Sequence, residues 1–422
     1  MVSQWMKTVF RGEYTPIGLD VGHDSVKMLQ LCRRAGKWRV LAGGIYPFSD
    51  AVRQNPAQRW RQVATAVRAL MTGPGRAGFR GRKVVAALDH QQVLVKNARL
   101  PKMPDSELAE AVRWEAVERI PFDLTGGLVH HLVAGDVRQG GEQRQEVLMF
   151  AVEEKTLRET LEAIDAAGVC PVGLDAQSLA LARAAECFLP TDSDPDSVSA
   201  LVDLGSANCQ VLIRRAGRTV FVKAIEIGSA DMTRAVVEKV GGTAEDATSL
   251  RNRLVDPGGP DASDENSKVA RAVTTAMRPV VERLGQEISL CLRYYSVTFR
   301  GRRPDTVTAV GGAAHDQGVL RLLGEAMGLT VQAGKPLAGM FPSPAVCQWG
   351  SGVDAGGPEW AVALGCCLKP PLERRTPSDA AEADGLEAAA PADPELVAAV
   401  ADGSIEQTLV ASKPGADRPG VK

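Results

Sequence analysis

The chain has 422 residues, 45% of them hydrophobic and 24% charged, with a net charge of −2. That is enough chain for two or more domains with substantial cores, and the near-neutral balance leaves no dominant basic face for nucleic acid. No apolar run approaches the roughly 20 residues that span a bilayer, and residues 1–11 are too short and too polar for a signal peptide, so a cytoplasmic location is expected.

Residues 15–31 read as a strand, a tight turn and a returning strand, continued by a strand over 38–45. The first of these carries Ile17-Gly18-Leu19-Asp20-Val21-Gly22-His23-Asp24-Ser25-Val26-Lys27. A helix with one apolar face is predicted over 57–71, then a glycine-rich basic loop over 73–81 and a buried strand over 84–88. A block of different character follows. It has a strand over 93–100, a helix from Pro104-Asp105 to Ile120-Pro121, strands over 128–134 and 146–152, and a helix from 154 that stops at Gly168. The next strand lies near 169–174. Asp175 is placed as the N-cap of a helix ending at Phe188. A linker over 191–197 precedes the second half.

That half opens on Leu201-Val202-Asp203-Leu204-Gly205-Ser206-Ala207-Asn208-Cys209-Gln210-Val211, the design of the first hairpin over again. A strand over 218–227 and a helix over 230–240 follow. The polar stretch 241–267 reads as a mobile excursion, and a long helix over 269–295 is predicted to kink or restart at Pro279. A strand over 306–310 feeds Gly311-Gly312-Ala313-Ala314. A helix over 318–327 and a last apolar helix over 360–368 complete the half. From residue 370 the composition turns to Ala, Asp, Glu and Pro, which predicts a disordered tail. Eight cysteines are scattered, mostly in apolar context, and the five histidines do not pair with them at metal-ligand spacing, which argues against zinc.

The two Asp-x-Gly hairpins carry a physical meaning. Each glycine lets backbone N–H groups approach a phosphate, and each aspartate at a strand end can hold a metal ion through water or cap the turn. Two such hairpins followed by a Gly-Gly turn suggest a duplicated fold that clamps a nucleotide between its halves. This order resembles the actin-like ATPase superfamily, with two phosphate loops and an adenosine motif. The inserted block narrows the resemblance. Met103-Pro104-Asp105-Ser106-Glu107-Leu108, then Arg113-Trp114-Glu115-Ala116-Val117-Glu118-Arg119-Ile120-Pro121-Phe122-Asp123, is similar to the signature helix of the PilM family of type IV pilus assembly proteins. So are Leu284-Gly285-Gln286-Glu287-Ile288, Leu292-Arg293-Tyr294-Tyr295 and the closing Ala361-Val362-Ala363-Leu364-Gly365.

The resemblance implies an α/β, actin-like (ribonuclease H-like, duplicated) two-lobed fold with an inserted FtsA/PilM-type α+β subdomain. The first actin-like subdomain would span 13–91 plus 169–197, the insert 92–168, the second half 198–370, and a disordered acidic tail 371–422. It implies ATP and Mg²⁺ as ligands, with Asp20 and Asp203 holding Mg²⁺ through water. The nucleotide would be bound by Asp20, Gly22, His23, Ser25, Lys27, Asp203, Gly205, Ser206, Asn208, Arg251, Gly311, Gly312 and Ala313. Lys27 stands seven residues after Asp20, where the superfamily often has a phosphate-facing lysine. Ala247-Thr248-Ser249-Leu250-Arg251 matches the family's Ala-Glu-x-x-Lys with Thr in place of Glu. No base for a hydrolytic water stands out; Asp20, Asp175 and Gln177 are candidates by position only, so the chain is at most a weak ATPase.

The implied partner is a PilN-like bitopic inner-membrane protein. Its N-terminal cytoplasmic peptide would lie in a groove between the first subdomain and the insert, with other pilus platform proteins nearby. The chain would then be peripheral to the inner face of the inner membrane, with no transmembrane segment and no nucleic-acid partner. The alternative is a nucleotide-independent adaptor of a pilus or GspL-like type II secretion system with a vestigial cleft. A sugar kinase has no phosphoacceptor motif to support it. An FtsA-like filament former would need a terminal amphipathic helix that the tail lacks.

Overall fold

The structure, a computed structural model, describes residues 14–34, 36–53, 56–72, 78–189, 194, 197–253, 264–340, 348–349 and 356–369. The loop expected over 73–81, the linker over 191–197 and the excursion over 241–267 fall partly outside these residues, and the acidic tail wholly outside.

Two sheets repeat one plan. In the first, β1 (Ile17–Val21) pairs antiparallel with β2 (Ser25–Arg34), and β2 with β3 (Lys37–Pro47). On its other side β1 runs parallel to β4 (Lys83–Leu88), and β4 parallel to β8 (Cys170–Ala176). In the second, β9 (Val198–Leu204), β10 (Cys209–Arg215) and β11 (Arg218–Ile225) form the antiparallel run. There β9 lies parallel to β12 (Thr306–Val310), and β12 to β13 (Thr330–Ala333). A two-residue strand, β14 (Gln348–Trp349), adds to the outer edge of β3. The parallel connections force both faces of each central strand under cover, which is why β1 is buried along its whole length.

Helices supply that cover: α1 (Pro56–Thr72), α4 (Gln177–Phe188), α5 (Ser229–Val240), α6 (Ala244–Arg253), α7 (Asp264–Phe299), α8 (Gln317–Met327) and α9 (Ala361–Cys367). A third sheet, in the order β5 (Leu94–Pro101), β7 (Glu142–Val152), β6 (Leu128–Gln139), is antiparallel. One of its faces packs on α2 (Asp105–Arg119) through Leu108, Val112, Ala116, Val147, Met149 and Ala151. Its other face sends Leu148, Phe150 and Val152 into the main core, with Leu157 of α3 (Glu154–Ala166). Pro121 stops α2, and the Ile120 N–H closes the last turn on the Ala116 carbonyl at 2.8 Å. Ile120 is buried and Phe122 packs on the same cluster, so the Ile-Pro-Phe element is a hydrophobic clasp at a helix end.

The third sheet is tied to the second half by one buried carboxylate. Glu146 accepts from Arg99 Nε at 2.8 Å, Asn97 Nδ2 at 3.1 Å and the Tyr294 hydroxyl of α7 at 3.1 Å. Such a group is stable in the interior only because several donors answer it.

Several elements depart from the expectations. α7 runs through Pro279 as a single helix, because Met277, Val281, Leu284, Ile288 and Leu292 bury one continuous face that outweighs one lost hydrogen bond. The polar excursion holds a helix, α6, started by a reciprocal box. The Thr243 N–H donates to Asp246 Oδ2 at 3.1 Å and the Asp246 N–H to Thr243 Oγ1 at 3.1 Å. β6 and β7 run on to a hairpin whose turn, Gly140-Gly141, has φ of +60° and +90°. Asp175 belongs to β8, and the N-cap of α4 is Ala176. The last helix, α9, is expected within the second half but packs on the first sheet and on α4, with Ala363, Leu364 and Cys367 clustered with Leu29 and Leu31 of β2 and Ala184 of α4.

Gly365 is where α9 meets α4, and a Cβ there would overlap the Ala180 carbonyl. Gly365→Ala is therefore expected to cost about 3 kcal/mol in urea unfolding, as backbone-limited overpacking does. Gly328→Ala, at φ +64° with open space around it, should cost only about 1 kcal/mol.

Candidate functional site

The duplicated hairpins point their turns at one cleft between the two lobes. In the first turn the Gly22 N–H donates to the Ser25 carbonyl at 3.0 Å. In the second, a Cβ on Gly205 would lie 2.6 Å from the Asn208 carbonyl oxygen, so only glycine fits. The third turn follows β12. Gly311 has φ +87° and a Cβ there would overlap Asp203 Oδ1, whereas the Cβ direction of Gly312 meets nothing within 4 Å. The first two turns are tight for the chain's own reasons; the space beside Gly312 is free.

The hairpin register sets the electrostatics. In the first hairpin Asp20 is the cross-strand partner of Lys27, and in the second Asp203 is the partner of Gln210. The repeat therefore answers one buried carboxylate with a cation and the other with an amide. Lys27 Nζ lies 3.0 Å from Asp20 Oδ2. Burial alone would lower the lysine's pKa; the Asp20 charge and hydrogen bond outweigh it, and the net shift is upward. Asp203 accepts from Gln177 Nε2 at 2.9 Å, and Gln210 Nε2 donates in turn to Gln177 Oε1 at 2.7 Å. Burial and the nearby Asp20 charge push Asp203 up to about 6, against Lys27 and Gln177. A pair of carboxylates with one compensating cation is a donor set that a divalent ion would relieve.

Of the residues singled out from the sequence, Asp20, Gly22, His23, Ser25, Lys27, Asp203, Gly205, Ser206, Asn208, Gly311 and Gly312 line this cleft together with Gln177. Ala313 and Arg251 line an adjoining hollow that shares His23, Ser206 and Gly312 with it. Arg251 commits both terminal nitrogens to its own fold, while its buried Nε has no hydrogen-bond partner among the described residues. It donates to the Ser229 carbonyl at 2.9 Å and to Thr233 Oγ1 at 2.7 Å, and its Nη2 lies 3.3 Å from Asp316 Oδ2. Burial depresses its pKa despite Asp316. Cys209 is buried and its thiol is pushed strongly up by burial, so it stays neutral.

Asp175 lies elsewhere. Its carboxylate meets Arg183 Nη1 at 2.8 Å and Lys369 Nζ at 3.3 Å. It lines a separate apolar groove of about 520 Å³ between the first lobe and the third sheet. Leu88, Leu128, Val129, Phe150, Leu157 and Leu179 supply much of the groove's wall.

Some cleft residues escape sequence reasoning. Asp24 accepts from the Ser206 side chain and from His23 Nδ1 at 2.8 Å, which ties the first loop to the second across the cleft. Burial would raise its pKa; these bonds bring it below the ordinary value. Asp24 sits inside the quoted loop, so its position was a usable signal. His90 Nε2 lies 3.0 Å from Glu226 Oε1 of the opposite lobe, and Glu359 Oε2 lies 2.6 Å from His315 Nε2. Neither pair has a local sequence signature.

The family model for the type IV pilus assembly protein PilM matches residues 18–370. The chain belongs to the PilM family. A solved structure described as a PilM–PilN type IV pilus biogenesis complex superposes with a TM-score of 0.65 at 24% identity, covering 84% of this chain and 99% of that one. The ethanolamine utilization protein EutJ from Carboxydothermus hydrogenoformans gives a TM-score of 0.48 at 13% identity, over 85% of this chain and 91% of that one. An activator of 2-hydroxyisocaproyl-CoA dehydratase from Clostridium difficile, with bound ADPNP, gives 0.41 at 12%, over 90% and 100%. The family match and the 0.65 superposition together give the two-lobed α/β fold of PilM proteins. Among the described residues no helix is long and apolar enough to cross a membrane, and no group of three or more His, Cys, Asp or Glu could hold a metal ion.

The raised pKa of Asp203 sets a stability profile for this PilM-family chain. Its folded value of about 6 exceeds the ordinary 3.8, so folding favours the protonated form. That stabilisation is complete below pH 4 and is lost as pH rises through 6. Asp203→Asn should therefore stabilise the nucleotide-free protein by about 3 kcal/mol at pH 7.5 and by about half of that at pH 5. Urea titrations of both proteins at the two pH values check this; a gain independent of pH would refute it.

Proposed function

We propose that this PilM-family protein binds ATP with Mg²⁺ in the interlobe cleft and couples that binding to a PilN-like peptide held in the apolar groove. One observation carries the reading: turns from both lobes converge on Asp20 and Asp203, whose mutual repulsion is only partly compensated by Lys27. The phosphates would lie between the Gly22–Ser25 and Gly205–Asn208 turns, with backbone N–H groups and Asn208 as donors. Asp20 and Asp203 would hold the ion through water. The adenosine would lie in the hollow beside Gly312, Ala313 and Arg251. Lys27, paired with Asp20 here, would be shared with the phosphates, whose negative charge a bound nucleotide would supply.

Turnover is slow or absent in this reading. Asp175, a positional candidate for the base, faces the groove and is neutralised there by Arg183 and Lys369. Its place next to Gln177 has another use. Asp175 is the penultimate residue of β8 and Gln177 begins α4, two positions on, with one side chain at the groove and the other on Asp203. A shift at either site is passed to the other through the start of one helix. The groove is apolar with charged groups at its rim, which suits a short amphipathic peptide. Placement at the inner face of the inner membrane follows from a bitopic partner.

Calorimetric titration with Mg-ATP, with and without the N-terminal cytoplasmic peptide of a PilN-like protein, tests this. Asp20→Ala should abolish nucleotide binding. Gly312→Val should weaken it at least about tenfold, roughly 1.4 kcal/mol, with an unchanged melting temperature, because its Cβ enters open space. Binding of the peptide with no heat from Mg-ATP would make the cleft vestigial and the protein an adaptor.

A further inference from the structure

The last described residue, Lys369, is itself part of the groove wall. Its ammonium donates to the Leu174 carbonyl at 2.6 Å and pairs with Asp175, so the described chain ends at the groove's edge. Fifty-three residues follow Lys369 (422 − 369). Within them, residues 376–412 contain eight acidic residues and no lysine or arginine. The groove has the opposite bias. Arg183 and Lys369 share the single carboxylate of Asp175, leaving a surplus positive charge beside an apolar wall. One stretch of the tail matches that order, acid first and apolar after: Asp393-Pro394-Glu395-Leu396-Val397-Ala398-Ala399-Val400.

We propose that residues 393–400 of this chain's own tail occupy the apolar groove and compete there with any incoming peptide. This rests on the groove being a peptide site. Asp393 and Glu395 meet the cations at the Lys369 end, and Leu396, Val397 and Val400 lie along Leu128, Leu157 and Leu179. The tether makes weak affinity sufficient. Asp393 lies 24 positions after Lys369 (393 − 369), and such a chain has an r.m.s. reach of about 25–30 Å. At that length the effective concentration is in the millimolar range, so a segment with a millimolar dissociation constant is already largely bound. An incoming peptide must then exceed this internal competitor.

The probe is a fluorescein-labelled synthetic peptide of residues 388–403, followed by anisotropy on the full-length protein. It should bind L396D/V397D at least about fivefold more tightly than the wild-type chain, whose groove is already occupied. Adding Leu128→Asp, a change at a position 44% exposed, should abolish that binding without loss of melting temperature. Equal affinity for wild type and L396D/V397D, or no binding to either, overturns the proposal. So does sedimentation showing that wild type is a dimer that L396D/V397D converts to monomer, since the occupant would then be the tail of a second copy. The PilN-like peptide titrated in parallel separates the two claims. Failure of that peptide on both chains sinks the partner reading, while the tail probe still reports on the groove.

Discussion

Asp20 and Asp203 stand at the ends of two central strands, both buried, and the fold must hold them within reach of each other's charge. Neither strand can relax outward. β1 is pinned between β2 and β4, and β9 between β10 and β12, so each carboxylate is fixed by a parallel partner on one side and an antiparallel one on the other. The hairpin register then decides what each acid meets. The same cross-strand position carries Lys27 in one lobe and Gln210 in the other. One acid gains a cation; the other gains only amides and is pushed up in pKa. The duplication gives symmetry in backbone and asymmetry in charge. It is that asymmetry which leaves the cleft short of positive charge when nothing is bound there, and which makes Asp203 costly to the empty fold.

A large part of this was readable from residue order. The two Asp-x-Gly segments are local, and a local turn flanked by apolar runs has few ways to fold, so both hairpins and the Gly311-Gly312 turn could be placed by inspection. The seven-residue step from Asp20 to Lys27 is a hairpin register, and it fixes the ion pair without any distant information. What could not be read depends on contacts far apart in sequence. Pro279 says break, but Met277, Leu284 and Ile288 are held by a face that only the assembled lobe supplies. Asp175 precedes a helix and looks like a cap; Arg183 and Lys369 claim it instead, one of them almost two hundred residues away. Arg251 matches a family position for a nucleotide contact, yet Ser229, Thr233 and Asp316 take up its two terminal nitrogens. His90 and Glu226 meet across the lobes with nothing in either neighbourhood to announce them.

The link between cleft and groove has a material basis in how α4 is held. Its N-terminal Gln177 bonds Asp203, one turn later Ala180 touches Gly365 of α9, and Arg183 bonds both the Asp175 carboxylate and the Gly365 carbonyl, the latter at 2.7 Å. α9 ends two residues before Lys369, which returns to the same carboxylate. β8, α4 and α9 are therefore one block with a cleft-facing amide at one side and a groove-facing ion cluster at the other. A packed block of this kind does not deform continuously; it shifts as a unit.

The third sheet has a separate attachment. Glu146 and Tyr294 hold its far side to α7, which belongs to the second lobe, while the groove separates its near side from the first. If the cleft opens, a displacement of α7 relative to β8 and α4 would move one wall of the groove relative to the other. Two routes thus connect the sites, a short one through Gln177 and Asp175 and a long one through Glu146. They differ in what they demand of a groove occupant. The short route responds to charge near Asp175, the long one to the width of the groove. An occupant that carries acid at one end and apolar side chains along its length would engage both at once, and its affinity would then depend on the state of the cleft more steeply than that of an apolar segment alone.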